Sequence, residues 1–397
     1  VIKPMQAGVS IVTSSSQPAK TSGYVDGGAI GVDMVRGDLS AMGLGTVTRV
    51  EGDKLVAFGH PMMSLGVTSM PTSEARVLWF MASQMRSFKM GEGTGPLGAL
   101  VNDRMASIVV DQKASAPIVP VTLHIEGEPG APFPDWKFEV AHDEFLTPAF
   151  LAVALGSGLE ATAAERRDVT WFMESTVHVA GRPPLVVQDF GSAPSGTPQT
   201  GEVMQTSLIK AVGAVFSNPW EYPRIERVDV KMKIQFSRDV AMLRGIDLLT
   251  PVLDPGEPAR FRVTLEPFAG KPIVQVVSVP LPKNLAGSSV KLVVRPGYAV
   301  RRPLSAPESL DQLIANLGVP TLEPRSLVVS YETGDSGASH RGAISSSLPP
   351  SALDTITTTS SSIAPARFEQ LEHVVTRLPL YMVGGDAVEV RIRPALR

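Results

Sequence analysis

One histidine of the sequence has neighbours that suit acid–base chemistry. His60 follows the apolar run Lys54 to Phe58 and stands in Ala57-Phe58-Gly59-His60-Pro61, between a glycine and a proline that shape the backbone on either side. An imidazole held at the end of a strand suits a general base, because histidine is the side chain that titrates near neutral pH. The alternative is a turn histidine bonded to a neighbouring carbonyl, and the spacing alone favours that alternative.

The other chemically capable side chains have simpler interpretations. Asp38 follows Gly37 and reads as a turn aspartate whose side chain accepts local amide bonds. His124 and His178 alternate with apolar neighbours, which is typical of strand residues. Ser87 and Lys89 stand two residues apart, so they share one side of a strand, and this is a weak arrangement for a Ser/Lys pair.

Methionines crowd the segment from Met62 to Met90. Thioethers at this density fit either an adaptable groove for a peptide or lipid or a flexible core, and the core is the simpler interpretation. The sequence has six histidines and no cysteine. No histidine pair has the spacing of a helical zinc motif, and neither a calcium loop, a phosphate-binding glycine loop nor a G-x-S-x-G elbow occurs. The sequence therefore predicts no metal site and no cofactor.

Composition narrows the classes of partner. The 397 residues carry 36 Lys and Arg against 39 Asp and Glu, without long runs of one sign, so nucleic-acid binding is not expected. The longest apolar stretch, Phe145 to Leu159, contains Pro148 and is shorter than the roughly 20 residues that a membrane-spanning helix needs. Glycine (35) and proline (34) are frequent, which favours many short strands.

Several short elements must position these side chains. Strands are predicted at Ala29 to Val35, Gly45 to Glu51, Lys54 to Phe58, Met105 to Val110, Ile118 to Ile125, Trp136 to Val140 and Val169 to Val179. The second and third form a hairpin closed around Glu51-Gly52-Asp53. Pro71 to Ser87 and Val203 to Phe216 each fit a helix or a strand. Thr147-Pro148 predicts a helix to about Ala164, with Thr147 as its cap.

The second half of the sequence reads as a small antiparallel sandwich followed by a mixed segment. Strands are expected at Ile225 to Phe236, Ala259 to Leu265, Pro272 to Val279, Val290 to Val294 and Ala387 to Ile392, with a helix at Ser309 to Leu317 and a long loop or hairpin tip at Ser336 to Pro365. The resulting division is an N-terminal arm (1–24), a mainly β domain with a helix (25–220), an Ig-like β-sandwich (221–300) and a C-terminal α+β segment (301–397).

The order of several short motifs resembles one family of serine peptidases. Val32-Asp33-Met34-Val35-Arg36-Gly37-Asp38, Gly45-Thr46-Val47-Thr48, Ala57-Phe58-Gly59-His60-Pro61, Ser87-Phe88-Lys89 and Gly98-Ala99-Leu100 with Asp103-Arg104 are similar to the SpoIVB peptidase domain family. The likeness covers about Gly23 to Val121. It extends more loosely beyond, because long envelope relatives carry a similar sandwich with turns like Leu253-Asp254-Pro255-Gly256-Glu257.

The resemblance implies a chymotrypsin-like half-barrel followed by an antiparallel β-sandwich. It makes His60 the general base and Asp38 the acid that would orient it. The family's nucleophile lies in a G-M-S-G-S-P motif that this sequence lacks, and Gly191-Ser192-Ala193-Pro194 and Gly66-Val67-Thr68-Ser69 are poor substitutes. In the long relatives that motif precedes the segment resembling Val1 onward, so we expect an upstream part of the same precursor to supply the serine.

Two hypotheses follow. In the first, the chain is the C-terminal portion of an exported SpoIVB-type serine peptidase-like protein of the bacterial periplasm or cell envelope, with His60 as the base and the serine supplied from upstream. In the second, it is a non-catalytic scaffold or binding subunit that holds another envelope protein. Because a histidine without a nucleophile forms no acyl-enzyme, this chain alone is expected to be inactive.

Overall fold

The chain forms two compact units. The computed structural model describes residues 23–85, 87–127, 133–163, 165, 167–193, 196–301, 304–340, 343–356 and 365–395. The first unit comprises Val1–Arg166, Phe172–Gln188 and Gly196–Gln235, and the second comprises Arg167–Trp171, Asp189–Ser195 and Phe236–Arg397. Most of the regular structure is strand, so the mainly β prediction is confirmed. The predicted N-terminal arm lies outside the described residues up to position 22.

The first unit is built on one large sheet with three helices. The strands of this sheet are β1 Ala29–Gly37, β2 Ala41–Glu51, β3 Lys54–Ala57, β4 Gly66–Met81, β5 Phe88–Arg104, β6 Ser107–Asp111, β7 Ile118–Glu126, β8 Asp135–Ala141, β9 Val169–Val179, β10 Leu185–Ala193 and β11 Ile225–Gln235. Residues 169–171 of β9 and 189–193 of β10 belong to the second unit. The helices are α1 Thr147–Thr162, α2 Thr200–Val203 and α3 Ser207–Phe216. The strand order is β10-β9-β11-β7-β8-β1-β2-β3-β6-β5-β4.

The six strands β1 to β6 curve into a half-barrel. β4, the last strand of the order, also pairs with β1, where Ile30 lies opposite Glu74 and Val32 opposite Thr72. The predicted hairpin is confirmed, since Glu51 pairs with Lys54 across Gly52-Asp53. Fully buried aliphatic side chains fill the half-barrel, among them Ile30, Val32, Met70, Leu100, Ile108 and Val110. Each contributes roughly 1.5–3 kcal/mol of burial free energy.

The structure resolves the ambiguous segments. Pro71 to Ser87 falls largely in β4, and Val203 to Phe216 is helical over α3. The long strand β5 was not predicted, because its glycines at 91, 93, 95 and 98 interrupt any apolar alternation. Ile225 to Phe236, assigned to the sandwich from its pattern, instead forms β11, which pairs in parallel with β7 in the first unit. The first unit therefore extends to Gln235 rather than to residue 220.

The predicted helix at Thr147 is present, but its predicted cap is wrong. The helix α1 has Leu146 at its N-cap position, with no side-chain cap bond. The Thr147 hydroxyl accepts from the Asp143 amide (2.7 Å) and donates to the Ala141 carbonyl (2.8 Å). A carboxylate oxygen of Asp143 accepts the amides of Phe145 and Leu146. Asp143 therefore organises the chain before the helix, and Thr147 ties the helix start to the end of β8.

The second unit is a two-sheet sandwich. Its strands are β12 Val240–Leu248, β13 Val252–Leu253, β14 Ala259–Pro267, β15 Ile273–Val279, β16 Ser289–Pro296, β17 Ser326–His340, β18 Ala343–Leu348, β19 Ala366–Arg377, β20 Tyr381–Val383 and β21 Asp386–Ile392, with the helices α4 Leu310–Leu317 and α5 Pro350–Ile356. One sheet has the order β15-β14-β12-β20. The other has the order β13-β21-β16-β17-β18, and β19 also pairs with β17. Residues 341–342 and 357–364 of the expected long loop lie outside the described residues, whereas 336–340 of β17 pair with 343–348 of β18 in antiparallel fashion.

The sandwich does not end at residue 300. Buried residues of both sheets share one core, including Phe261 and Val263 from β14 and Leu292 and Val294 from β16. Strands after residue 300 complete both sheets, because β20 pairs with β12 and β21 pairs with β16. The predicted separate α+β segment at 301–397 is therefore wrong, because its strands β17, β20 and β21 belong to the sheets of the sandwich. The expected antiparallel arrangement holds for most pairs, but β12–β20 and β13–β21 are parallel.

Candidate functional site

The loop after β3 carries His60 in a constrained backbone. Phe58 and Gly59 have φ values of 72° and 73°, in the left-handed region that a phenylalanine seldom adopts. Phe58 is held there in two ways. Its amide donates to the Thr46 carbonyl (3.0 Å), and its ring covers Gly45 so closely that a Cβ at Gly45 would lie 2.0 Å from the ring. Packing on β2 therefore fixes the chain just before His60.

A buried carboxylate fixes the same loop after His60. Asp103, near the end of β5, is 1% exposed. Its Oδ1 accepts the amide of Met62 (2.8 Å), and its Oδ2 accepts the amides of Met63 (2.7 Å) and Leu65 (3.2 Å). Charge-assisted bonds to backbone amides are stronger than neutral ones. Asp103 thus anchors the segment that follows His60.

The imidazole of His60 is exposed and bonded to its own backbone neighbourhood. Its Nδ1 lies 2.7 Å from the Pro61 carbonyl oxygen, and its centroid lies 5.7 Å from that of the Phe58 ring. Because a carbonyl can only accept, Nδ1 carries the proton of this bond. In the neutral ring the lone pair is then on Nε2, which makes no hydrogen bond within the described residues. The bond predicted for a turn histidine is present, and it also selects the tautomer that a general base requires.

Asp38 is in a different environment. It is exposed and lies between β1 and β2. Its amide donates to the Lys137 carbonyl (3.0 Å), and its Oδ2 accepts the Lys137 amide (2.7 Å). In the part of the chain that the structure describes, no hydrogen bond or ion pair joins Asp38 to His60. The amide that Asp38 accepts is distant in sequence rather than local, so the turn interpretation does not describe its bonds; Asp38 instead links the end of β1 to β8.

The other sequence candidates have separate partners. Ser87 Oγ donates to the Ser83 carbonyl (3.2 Å), whereas Lys89 Nζ donates to Thr46 Oγ1 (2.7 Å), so the two side chains of the weak Ser/Lys arrangement do not meet. His124 and His178 lie on β7 and β9, as predicted. His124 Nδ1 is 2.7 Å from Asp135 Oδ1, and His178 Nε2 is 3.0 Å from Asp229 Oδ2.

A buried acid in β1 was not among the candidates that the sequence pattern indicated. Asp33 is 4% exposed and accepts a short hydrogen bond from the hydroxyl of Ser73, which is 5% exposed, on β4. Burial raises the pKa of Asp33 to about 6, although the Ser73 bond and the charge of Arg36 act in the opposite direction. Because both side chains are buried, we interpret this hydroxyl–carboxylate contact as structural. The sequence feature that could have indicated this buried acid is the position of Asp33 within the apolar strand pattern of Ala29 to Val35.

A hydroxyl–imidazole contact also occurs in the second unit. Ser330 Oγ and His373 Nδ1 are 2.8 Å apart. The two residues are directly opposite each other on the paired strands β17 and β19. Cross-strand polar pairs of this kind stabilise sheets. We therefore assign this pair to the sheet rather than to a catalytic centre.

Comparison with protein family models, curated proteins and solved structures gave no match to this chain. Among the described residues, no group of three or more histidine, aspartate or glutamate side chains could hold a metal ion. None of the helices in the described ranges is long and apolar enough to cross a membrane.

Proposed function

We propose that this chain is the C-terminal portion of an exported SpoIVB-type serine peptidase-like protein of the bacterial periplasm or cell envelope. In this proposal the half-barrel is a chymotrypsin-like peptidase domain, and His60 is its general base. The nucleophilic serine comes from an upstream segment of the same precursor. The observation that supports the proposal best is the exposed imidazole of His60, whose Nε2 makes no hydrogen bond within the described residues, on a loop held by Phe58 and Asp103.

The proposed chemistry is acyl transfer. Nε2 of His60 removes the proton from the serine hydroxyl as its oxygen attacks the scissile carbonyl carbon, and the resulting imidazolium then donates that proton to the leaving amine. A base of this kind needs a fixed tautomer and an open Nε2. In this chain the Pro61 carbonyl fills the orienting position that an aspartate fills in a Ser-His-Asp triad. Asp38 is accordingly less suited to the role of orienting acid than the family resemblance implied.

The direct test is His60→Ala in the precursor that includes the upstream segment. We expect cleavage to fall by roughly 10³-fold or more, because loss of the base removes serine activation. Precursor processing and hydrolysis of a peptide substrate would both be measured. The matched control is His124→Ala, since His124 is also exposed but lies on β7 beside Asp135. Normal processing by the His60 variant would disprove the catalytic role.

A second function has specific support. Within the described residues no hydroxyl is hydrogen-bonded to His60, so the proposed base has no candidate nucleophile bonded to it there. This favours a non-catalytic scaffold or binding subunit for another envelope protein. A serine-directed fluorophosphonate probe, applied to the chain with and without its upstream segment, separates the two functions. Labelling only in the presence of that segment supports the divided peptidase, and absence of labelling in both supports the scaffold.

A further inference from the structure

The hairpin formed by β4 and β5 ends in an exposed apolar tip, defined here as residues 77–90. Trp79 and Phe80 are 67% and 66% exposed, and Met85 at the turn is 97% exposed. Leu78, Met81 and Met90 are also exposed. Large apolar side chains concentrated in this way on a surface mark an interaction site rather than chance exposure. His60 and Asp103 lie outside the tip.

Each face of this tip carries an exposed aromatic side chain. Trp79 lies opposite Met90, and Met81 lies opposite Phe88, whereas Phe80 lies opposite Lys89. Directly opposite residues share a face, and successive residues alternate between faces. Trp79 and Met81 therefore point to one side, and Phe80 points to the other. A protein partner docked on one face would leave the other face in water, whereas a lipid layer would surround the tip on all sides.

The tip has a positive net charge, which favours its binding to an anionic surface. Residues 77–90 contain Arg86 and Lys89 and neither aspartate nor glutamate. The next acidic residue, Glu92, forms an ion pair with Arg76. The chain as a whole has a net charge of -3, so an anionic membrane attracts the tip while it repels the molecule on average. This difference would orient the tip towards the membrane.

The turn of the tip satisfies part of its own backbone, which suits shallow insertion. The Ser83 amide donates to Ser87 Oγ (3.2 Å), Ser87 Oγ donates to the Ser83 carbonyl (3.2 Å), and the Met85 amide donates to Ser83 Oγ (3.2 Å). Backbone groups that are bonded internally cost less to remove from water. Tryptophan and phenylalanine beside basic residues are typical of segments that lie at the level of lipid headgroups.

We propose that the tip of the β4–β5 hairpin inserts into the interface of an anionic lipid membrane and attaches the protein to its surface. Trp79 and Phe80 enter the headgroup region from opposite faces of the ribbon. The positive charges of Arg86 and Lys89, which no acidic residue of the tip offsets, attract the anionic headgroups. The proposal does not depend on the catalytic role of His60.

The test is flotation of the full chain with vesicles of phosphatidylglycerol and phosphatidylcholine in equal parts. We expect the wild-type chain to bind, and the double variant Trp79→Ser with Phe80→Ser to lose about tenfold or more of its partition coefficient. Binding to vesicles of phosphatidylcholine alone should be weaker, and added salt should reduce binding to the anionic vesicles. The matched control is Trp220→Ser with Tyr222→Ser, because these exposed aromatic residues lie outside the tip.

Circular dichroism and hydrogen exchange of the variants establish that the fold is intact, which is expected because the replaced side chains are exposed. The proposal is overturned if the wild-type chain does not float with anionic vesicles or if the tip variant floats as well as the wild type. It is also overturned if the tip variant only abolishes self-association, because the tip would then serve a second copy of the chain.

Discussion

Burial and hydrogen bonding give three aspartates of the half-barrel different roles. Asp38 is exposed and binds the backbone of Lys137, and Asp103 is buried but accepts three amides. Asp33 is buried and, among the described residues, accepts a hydrogen bond from the Ser73 hydroxyl alone. A carboxylate that accepts few hydrogen bonds in an apolar site is harder to ionise. Among these three residues, Asp33 is therefore the one whose ionisation should weaken the fold.

We predict that Asp33→Asn flattens the pH dependence of stability. The native pKa of Asp33, about 6, lies above the value of about 3.9 for an unfolded aspartate, so the native state binds the proton more tightly. The contribution of Asp33 to the unfolding free energy is fully present below pH 4 and is lost as the pH rises through 6. The unfolding free energy of the wild type should fall by up to about 3 kcal/mol more than that of the variant between pH 4 and pH 7. Urea titrations at several pH values measure the difference.

Asp247→Asn provides the matched control. Asp247 is an exposed acid paired with Arg262, and its side chain is 60% exposed. The same change of charge should leave the pH profile close to that of the wild type, because surface ion pairs contribute little. A profile for Asp33→Asn parallel to the wild type would contradict the interpretation of Asp33 as a costly buried acid.

For single residues, the sequence indicated that His60 lies at the end of a strand, but it did not indicate which contacts hold its loop. The strand end and the flanking glycine and proline are local features, so Ala57 to Pro61 was sufficient to place the ring. The contacts of Asp103 join residues about forty positions apart, and no local pattern encodes them. The role of His60 as a base stays a prediction, and the resemblance that pointed to Asp38 did not foresee its bonds with Lys137.

A methyl group added at Gly98 is predicted to lower stability more than one added at Gly59, because β5 and β6 approach each other closely at Gly98. Gly98 and Gly59 have nearly equal φ values of 72° and 73°. A Cβ at Gly98 would lie 2.4 Å from the Asp111 carbonyl oxygen, whereas a Cβ at Gly59 would have no atom within 4 Å. Gly59→Ala should cost about 1–2 kcal/mol of unfolding free energy through backbone strain. Gly98→Ala should cost at least about 2 kcal/mol more, because β6 must move.

Chemical denaturation of the two glycine variants, each followed by two optical probes, measures this difference. Because the backbone strain is nearly the same in both, it cancels in the comparison. Equal losses of stability would show that β5 and β6 accommodate the methyl group and would contradict the predicted steric cost.

Elements with clear periodicity were predictable, and those shaped by tertiary contacts were not. Val169–Val179 and Leu310–Leu317 match their predicted strand and helix closely. The glycine-rich β5 is a strand only because β4 and β6 pair with it. The regular alternation in Ile225–Gln235 correctly predicted a strand, yet it did not specify the partner β7. Pairing between distant strands depends on the whole chain.

For the whole molecule, the division into two compact units predicts that a core substitution in one unit affects that unit more than the other. Phe261 is completely buried in the core of the sandwich. Phe261→Ala should lower the unfolding free energy of the second unit by about 3–5 kcal/mol. Hydrogen exchange should accelerate in β14 and β16 and change less in β3 and β6 of the first unit.

Phe268→Ala is the matched surface substitution. The Phe268 ring is 51% exposed and lies 4.5 Å from the guanidinium carbon of Arg238. Its removal should cost no more than about 1 kcal/mol. Uniform acceleration of exchange throughout the chain in Phe261→Ala would instead show that the two units unfold as one.

The boundaries between units were the least predictable feature of the sequence. Turn signals near Asn218-Pro219 suggested a division that the chain does not make, because β11 still belongs to the first unit. Nor does composition change where the sandwich continues after residue 300. The strands that complete it are separated by the helix α4 and by long connections, so their common core is visible only in three dimensions.

The chain passes between the two units at five peptide bonds, after residues 166, 171, 188, 195 and 235. During synthesis, Phe190 therefore leaves the ribosome well before Tyr381, the ring on which it stacks at 3.8 Å. The sandwich cannot be finished until the end of translation. A protease that cuts only after Gln235 would also fail to release it as a complete body, since two of its segments would remain covalently attached to the N-terminal fragment.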